Sequence, residues 1–144
     1  MPCRTPLDIL PRHLDFYGHV NNAAYAELFE EGRWDLISRQ GFGREKVQAL
    51  GLGPVVLELN IRFKREVRAG EKVEVETWTS SAARKVFVVS QKLFNAQGVE
   101  AASAEVTLGL LDLTKRRLVE IPEDWKKAFG IGTFGDVDKP GAGS

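Results

Sequence analysis

From Pro54 to about residue 113 the apolar residues of this chain recur at every second position, and that period limits the fold more than any other feature. Val55, Leu57, Leu59, Ile61 and Phe63 alternate with Val56, Glu58, Asn60, Arg62 and Lys64, the pattern of a half-buried strand. Ala69-Gly70 turns the chain. Val73, Val75, Thr77 and Thr79 then alternate with Glu74, Glu76 and Trp78. A third run, residues 85–95, is rich in Val and Phe and closes on Ala96-Gln97-Gly98 as a hairpin. A fourth covers residues 100–113 and opens on Ala101, Ala102, Ser103 and Ala104, small side chains that admit another element at close range. Turns this short join antiparallel neighbours.

Before Pro54 the period is helical. Tyr25, Leu28, Phe29, Leu36 and Ile37 fall near helical spacing over residues 22–40, with Gly32 as an interruption. Gly41 suits the position after a helix end, and Arg39 complements the dipole there. Residues 1–14 read as extended, with a short strand around Leu7, Ile9 and Leu10, and residues 42–53 hold one helical turn over 44–50. Ile121-Pro122 opens a short terminal helix with proline in its first turn. One helix followed by four long strands predicts an α+β fold, a single antiparallel sheet with the helix laid across it. About 18 helical residues span only ~27 Å, so the sheet must curve around them. The domain covers 1–135, and residues 136–144 form a Gly/Pro/Ser-rich tail.

Chemistry concentrates in Asp15-Phe16-Tyr17-Gly18-His19-Val20-Asn21-Asn22, which runs directly into the helix. Asn21 or Asn22 suits the N-cap, and Gly18 permits a tight turn or the close approach of a ligand. A carboxylate that can take a proton or attack thus stands beside helix N–H groups that can hold an oxyanion. Asp15 lies too far upstream to be the cap itself. His19, one of two histidines, either orients the loop or lines the carbonyl pocket with its side chain and its N–H. His13 alternates with Asp15 along an extended segment. Glu30, three residues before Arg33, has the spacing of a local ion pair.

The string D-x-x-G-H-V-N-N-x-x-Y, followed by F-E-x-x-R at Phe29, Glu30 and Arg33, resembles the signature of hotdog-fold acyl thioesterases. It is closest to the hydroxybenzoyl-CoA thioesterase family and its bacterial acyl-CoA relatives. The resemblance implies a hotdog fold, in which the sheet wraps the helix and two protomers join edges, giving a homodimer or homotetramer. It implies an acyl-CoA thioesterase that releases free CoA and a carboxylic acid, with Asp15 as general base or nucleophile and His19 beside it. Gly18, Val20, Asn21, Asn22 and Tyr25 would bind substrate, with Tyr25 and Phe29 placed where an acyl tunnel beside the helix would run. Some relatives use a helix glutamate, which makes Glu30 the second candidate. Plant acyl-carrier-protein thioesterases resemble D-x-N-x-H-V-N-N; here Tyr17 replaces that asparagine, which favours the aspartate-centred branch. The substrate carrier is CoA or an acyl carrier protein. An enoyl-thioester hydratase on the same fold is the first alternative, but its D-x-N-P-x-H spacing is absent. A non-catalytic acyl-thioester-binding module is the second, and it would leave Asp15 without a use.

Charge and composition narrow the remaining classes. Twenty Lys and Arg balance twenty Asp and Glu across 144 residues, which argues against a nucleic-acid partner. No run approaches the ~18 apolar residues of a membrane span, and nothing near the start resembles a signal peptide, so the expected location is cytoplasmic. Cys3 is the sole cysteine, which excludes an internal disulfide. With two histidines besides, no metal site is expected, and no cofactor. Basic residues gather at Arg62/Lys64/Arg65/Arg68, at Arg84/Lys85 and at Lys115/Arg116/Arg117. Arg84 and Lys85, at the start of a strand, are the first choice for the phosphates of CoA.

Overall fold

Helix α1 (Asn22–Ser38) passes through Gly32 without a break. The computed structural model describes residues 2–132, so the tail at 136–144 and the last residues of the 1–135 domain lie outside the described residues. The helix starts on Asn21, whose side chain accepts from the Ala24 N–H, and Asn22 is its first helical residue. It ends in the paired bonds Phe42 N–H to Ile37 C=O and Gly41 N–H to Ser38 C=O, with Gly41 at φ +89, the left-handed stop that glycine allows. A second helix, α2 (Arg44–Leu50), follows.

The sheet comprises β1 (Cys3–Asp8), β2 (Leu52–Phe63), β3 (Lys72–Ala82), β4 (Val86–Phe94), β5 (Glu100–Asp112) and β6 (Arg117–Val119). Every pairing is antiparallel, in the order β1-β3-β4-β5-β2, with the short β6 extending along β5. The four long strands fall where the period-two runs predict them. The first strand begins earlier than expected: Ile9 and Leu10 lie beyond its end. β6 has no counterpart in the sequence reading. Helix α3 (Glu123–Ala128) has Pro122 as its N-cap rather than inside the first turn. It packs Trp125 and Phe129 against Phe42 and Phe87, with ring centroids 4.4 Å apart for Phe42 and Trp125 and 4.5 Å for Phe87 and Phe129. This is the hotdog arrangement.

The helix does not cover the sheet evenly. It lies against β1 and β3, and burial fades along each inner row towards β2. In one row Val75, Leu93 and Ala102 are buried while their β2 neighbour Phe63 is exposed. In another, Thr79, Val89 and Val106 are buried and Leu59 is exposed. The expectation of a half-buried strand is therefore corrected for β2. As an edge strand beyond the helix, it leaves Val56, Leu57, Leu59 and Phe63 exposed, with Leu57 at a bulge.

The point of close approach differs as well. Gly32, expected to interrupt the helix, is where the helix meets the sheet. A Cβ there would sit 2.6 Å from Val75 Cγ1, 2.9 Å from Thr77 Oγ1 and 3.0 Å from Gln91 Nε2. Of the small residues 101–104, Ala101, Ala102 and Ala104 are buried on β5, but the helix draws closest over β3. Gly32→Ala therefore sets a helix-propensity gain of up to ~1 kcal/mol against overpacking that costs ~1–3 kcal/mol. Val75 is stiff and Thr77 and Gln91 are buried, so overpacking wins. Urea denaturation of the variant is expected to show a net loss of stability; a gain would mean that the neighbours yield.

Candidate active site

Asp15 opens a tight hairpin. Leu14 bridges Val20, the Asp15 N–H donates to the His19 carbonyl at 2.7 Å, and the Gly18 N–H donates to the Asp15 carbonyl at 3.1 Å. Gly18 has φ +80 with open space where a Cβ would be, so conformation rather than crowding selects glycine. The Asp15 side chain braces the same turn: Oδ1 accepts from the N–H groups of Tyr17 at 2.8 Å and His19 at 3.0 Å. Phe16 and Tyr17 form the exposed tip.

The hairpin is tied to its surroundings on both sides. Val20, buried, donates its N–H to the Val67 carbonyl at 2.8 Å, and the Asn21 N–H donates to the His13 carbonyl at 2.8 Å. The Asn21 Oδ1 accepts the Ala24 N–H at 2.8 Å, which settles the cap between the two asparagines. Among the described residues no acceptor meets the N–H groups of Asn22 and Ala23, and both residues are exposed. These two amides stand at the positive end of the α1 dipole.

His19 differs from its expected place in one respect. Its backbone N–H lies before the helix and is occupied by Asp15, so it is not a free donor at the helix start. Its ring packs over Tyr17 and places Nε2 3.2 Å from Glu66 Oε2. Glu66 comes from the segment between β2 and β3, and no local spacing announces it. Tyr25 is buried against Phe63, its ring centroid 5.1 Å away, and its hydroxyl donates to the Arg65 carbonyl. Burial pushes its phenol up from the ordinary value, which keeps it a donor.

The expected Glu30–Arg33 ion pair is not formed. Glu30 instead accepts from the Trp34 indole at 3.4 Å, and Arg33 turns inward to the buried Gln91 at 3.1 Å. Burial pushes the Arg33 guanidinium down, with Glu30 partly offsetting it. Both line a cavity of about 70 Å³ whose apolar walls are Trp34, Ile37, Pro54, Val56, Leu108 and Phe129.

Arg84 and Lys85 lie far from the hairpin within one chain. They occupy the β3–β4 turn, where Arg84 pairs with Glu120 and Lys85 is exposed. The hairpin adjoins Arg68 and Ala69 just before β3, so the 11 residues of β3, about 35 Å of strand, separate the two. Residues 62–68 are nearer: Arg68 pairs with Glu66 and Lys64 with Glu100, while Arg65 is exposed with no ion-pair partner among the described residues. Among the described residues no three His, Cys, Asp or Glu side chains converge as metal donors. No helix there is long and apolar enough to cross a membrane.

A family model, the thioesterase-like superfamily, matches residues 9–129. The long-chain acyl-CoA thioesterase FadM of Escherichia coli is 28% identical over 120 residues, covering 82% of this chain and 89% of the relative. Among solved structures, the DHNA-CoA thioesterase of Staphylococcus aureus superposes with a TM-score of 0.82 at 26% identity, covering 89% of this chain and 88% of the other. The protein SAV2348 of the same organism, solved in complex with CoA, shares the fold at a TM-score of 0.83 and 16% identity, with coverages of 97% and 90%.

The two asparagines give a local test. Asn21→Ala removes the cap and is expected to cost ~1 kcal/mol, whereas Asn22→Ala, whose side chain caps nothing, should change stability by less than ~0.5 kcal/mol. Thermal denaturation of both variants checks this; equal losses would reassign the cap.

Proposed function

The chain belongs to the thioesterase-like superfamily, and from that premise we propose that it hydrolyses acyl-CoA thioesters to free CoA and a carboxylic acid. One observation carries the reading: the Asp15 carboxylate, pinned through Oδ1, sits in the hairpin that leads directly to the unpartnered Asn22 and Ala23 amides. In this reading the thioester carbonyl lies against those two N–H groups, which hold the oxyanion of the tetrahedral intermediate. Asp15 takes a proton from the attacking water as the new C–O bond forms. Collapse breaks the C–S bond, and the departing thiolate recovers the proton. Direct attack by Asp15 through an anhydride is the alternative route at the same position. His19 contributes its N–H to the alignment of Asp15, Gly18 the turn, and Tyr25 with Phe63 the wall along which the acyl group runs. Val20 and Asn21 hold the loop to the segment between β2 and β3 and to α1.

The same reading requires a second copy. Val56, Leu57, Leu59 and Phe63 form an exposed apolar edge, the kind of surface that proteins cover. Antiparallel pairing of two β2 strands about a two-fold axis sets the Phe63 end of one protomer beside the Val55 end of its partner. Val55 pairs with Gly109 and Gly109 with Val86, so the partner's β3–β4 turn follows to that side. Arg84 and Lys85 would then meet the phosphates of CoA at the other protomer's hairpin.

Asp15→Asn keeps an oxygen for the Tyr17 and His19 N–H groups but loses basicity. Turnover of acyl-CoA, followed with a thiol reagent, is expected to fall at least ~100-fold with folding intact; near-parental activity would transfer the role to Glu30. Leu59→Lys should give a monomer by light scattering and raise KM several-fold, as should Arg84→Ala/Lys85→Ala in the intact dimer, with little change in kcat. An active parental monomer would refute the shared site.

A further inference from the structure

Among the described residues, His13 is the one buried titratable side chain beside the hairpin that the proposed reaction leaves without a use. It is 3% exposed, and it makes hydrogen bonds in three directions. Nδ1 accepts the Leu10 N–H at 2.8 Å, so that nitrogen carries no proton. The ring proton therefore belongs on Nε2, which donates to Glu27 Oε2 at 2.9 Å, on the second turn of α1. The backbone carbonyl of His13 accepts the N–H of Asn21, the residue that caps the same helix. Arg12 also pairs with Glu27, at 2.6 Å, from the solvent side, where both side chains are partly exposed. Two residues after His13 comes Asp15. The imidazole thus ties the incoming arm of the hairpin to the body of the helix, while its main chain ties that arm to the helix cap.

We propose that His13 is a positioning residue: the neutral ring clamped between Leu10 and Glu27 sets the Asp15 carboxylate in register with the Asn22 and Ala23 amides. The inference rests on the reading of Asp15 as the reacting carboxylate. Displacing the base by about 1 Å from the carbonyl site costs up to ~100-fold in rate while leaving ground-state binding largely alone. The Nε2–H needs an oxygen acceptor from Glu27, not its charge.

The test is steady-state hydrolysis of acyl-CoA well below the melting temperature, normalised to folded protein, with amide hydrogen exchange of the Gly18 and Asn21 N–H groups alongside. His13→Ala is expected to lower kcat at least ~10-fold with KM within ~2-fold. Glu27→Ala should lower kcat in the same direction, Glu27→Gln should restore it to within ~2-fold of the parent, and Arg12→Ala should stay near the parent. Adding Glu27→Ala to His13→Ala should cost nothing further, since the two act through one hydrogen bond. Should His13→Ala not fold, the two Glu27 variants decide alone, because that side chain is partly exposed on the helix surface. Parental kcat in both alanine variants overturns the proposal, as does a Glu27→Gln variant no better than Glu27→Ala. Asp15→Asn assayed in parallel separates the two readings. If it retains activity, the role of Asp15 fails, and His13 is judged by exchange alone. Faster exchange at Gly18 and Asn21 in the alanine variants then supports the clamp, and unchanged exchange overturns it.

Discussion

The distance at which α1 can lie on the sheet governs the rest of this molecule. Gly32 removes the one side chain that would hold the helix off Val75, Thr77 and Gln91, and the contact is then locked by polar groups rather than by apolar packing alone. The buried Gln91 amide donates to the Phe29 carbonyl at 2.8 Å and to Thr77 at 3.0 Å, and its oxygen accepts from Arg33. Such a group left unsatisfied costs ~1–3 kcal/mol, so the helix has one register in which this amide is content. At the outer side Asp35 accepts from Thr5 at 2.5 Å and Arg39 at 2.8 Å, pinning β1 to the helix. Burial would raise that carboxyl, but the hydrogen bonds from Thr5 and Arg39 outweigh it and hold it below the ordinary value. This contribution is complete above the unfolded carboxyl's pKa and is lost as pH falls through the folded one.

With the axis fixed over β1 and β3, two features follow. The N-terminus of α1 comes to the end of the sheet where β2 leaves and β3 begins, and the hairpin docks there through Val20 on Val67 and through His19 opposite Arg68. The inner face of β2, in turn, stays largely uncovered, with Val56, Leu59 and Phe63 exposed. The site and the exposed apolar edge have the same origin: a helix too narrow for the sheet it crosses, placed to one side of it.

Much of this was legible in the chain because local rules and the fold agree. Alternation marked the four long strands, Gly41 and the Asn21-Asn22 pair marked the helix ends, and the eight residues from Asp15 to Asn22 marked the hairpin. What stayed hidden depends on partners remote in sequence. Alternation in β2 reads as half burial, and only the helix's sideways placement shows that most of its inner face is exposed. Glu30 and Arg33 have ion-pair spacing, yet Gln91 on β4 draws the guanidinium inward. Gly32 reads as a weak point of the helix until the sheet beneath it is seen. Arg84 and Lys85 are plain as a basic pair, but their distance from Asp15 emerges only from the topology, with one at each end of β3.

In the proposed reaction Asp15 carries two demands that usually conflict. A carboxylate that builds a turn spends its lone pairs on backbone N–H groups, whereas a reacting carboxylate needs an oxygen free for water or a carbonyl carbon. Here the demands fall on different atoms: Oδ1 takes both N–H groups of the turn, and Oδ2 has no protein partner among the described residues. The division of work between two oxygens works only if the turn itself cannot drift, since the open oxygen has no other restraint. That restraint comes from outside the turn, from Val67 on one arm and from His13 on the other. A thioester asks for little more, because its thiolate leaves without a strong acid. In the proposed reaction one held carboxylate and two open amides, carried on a single short hairpin and the helix it starts, make and break the bonds, and the partner protomer adds only contacts to the CoA phosphates.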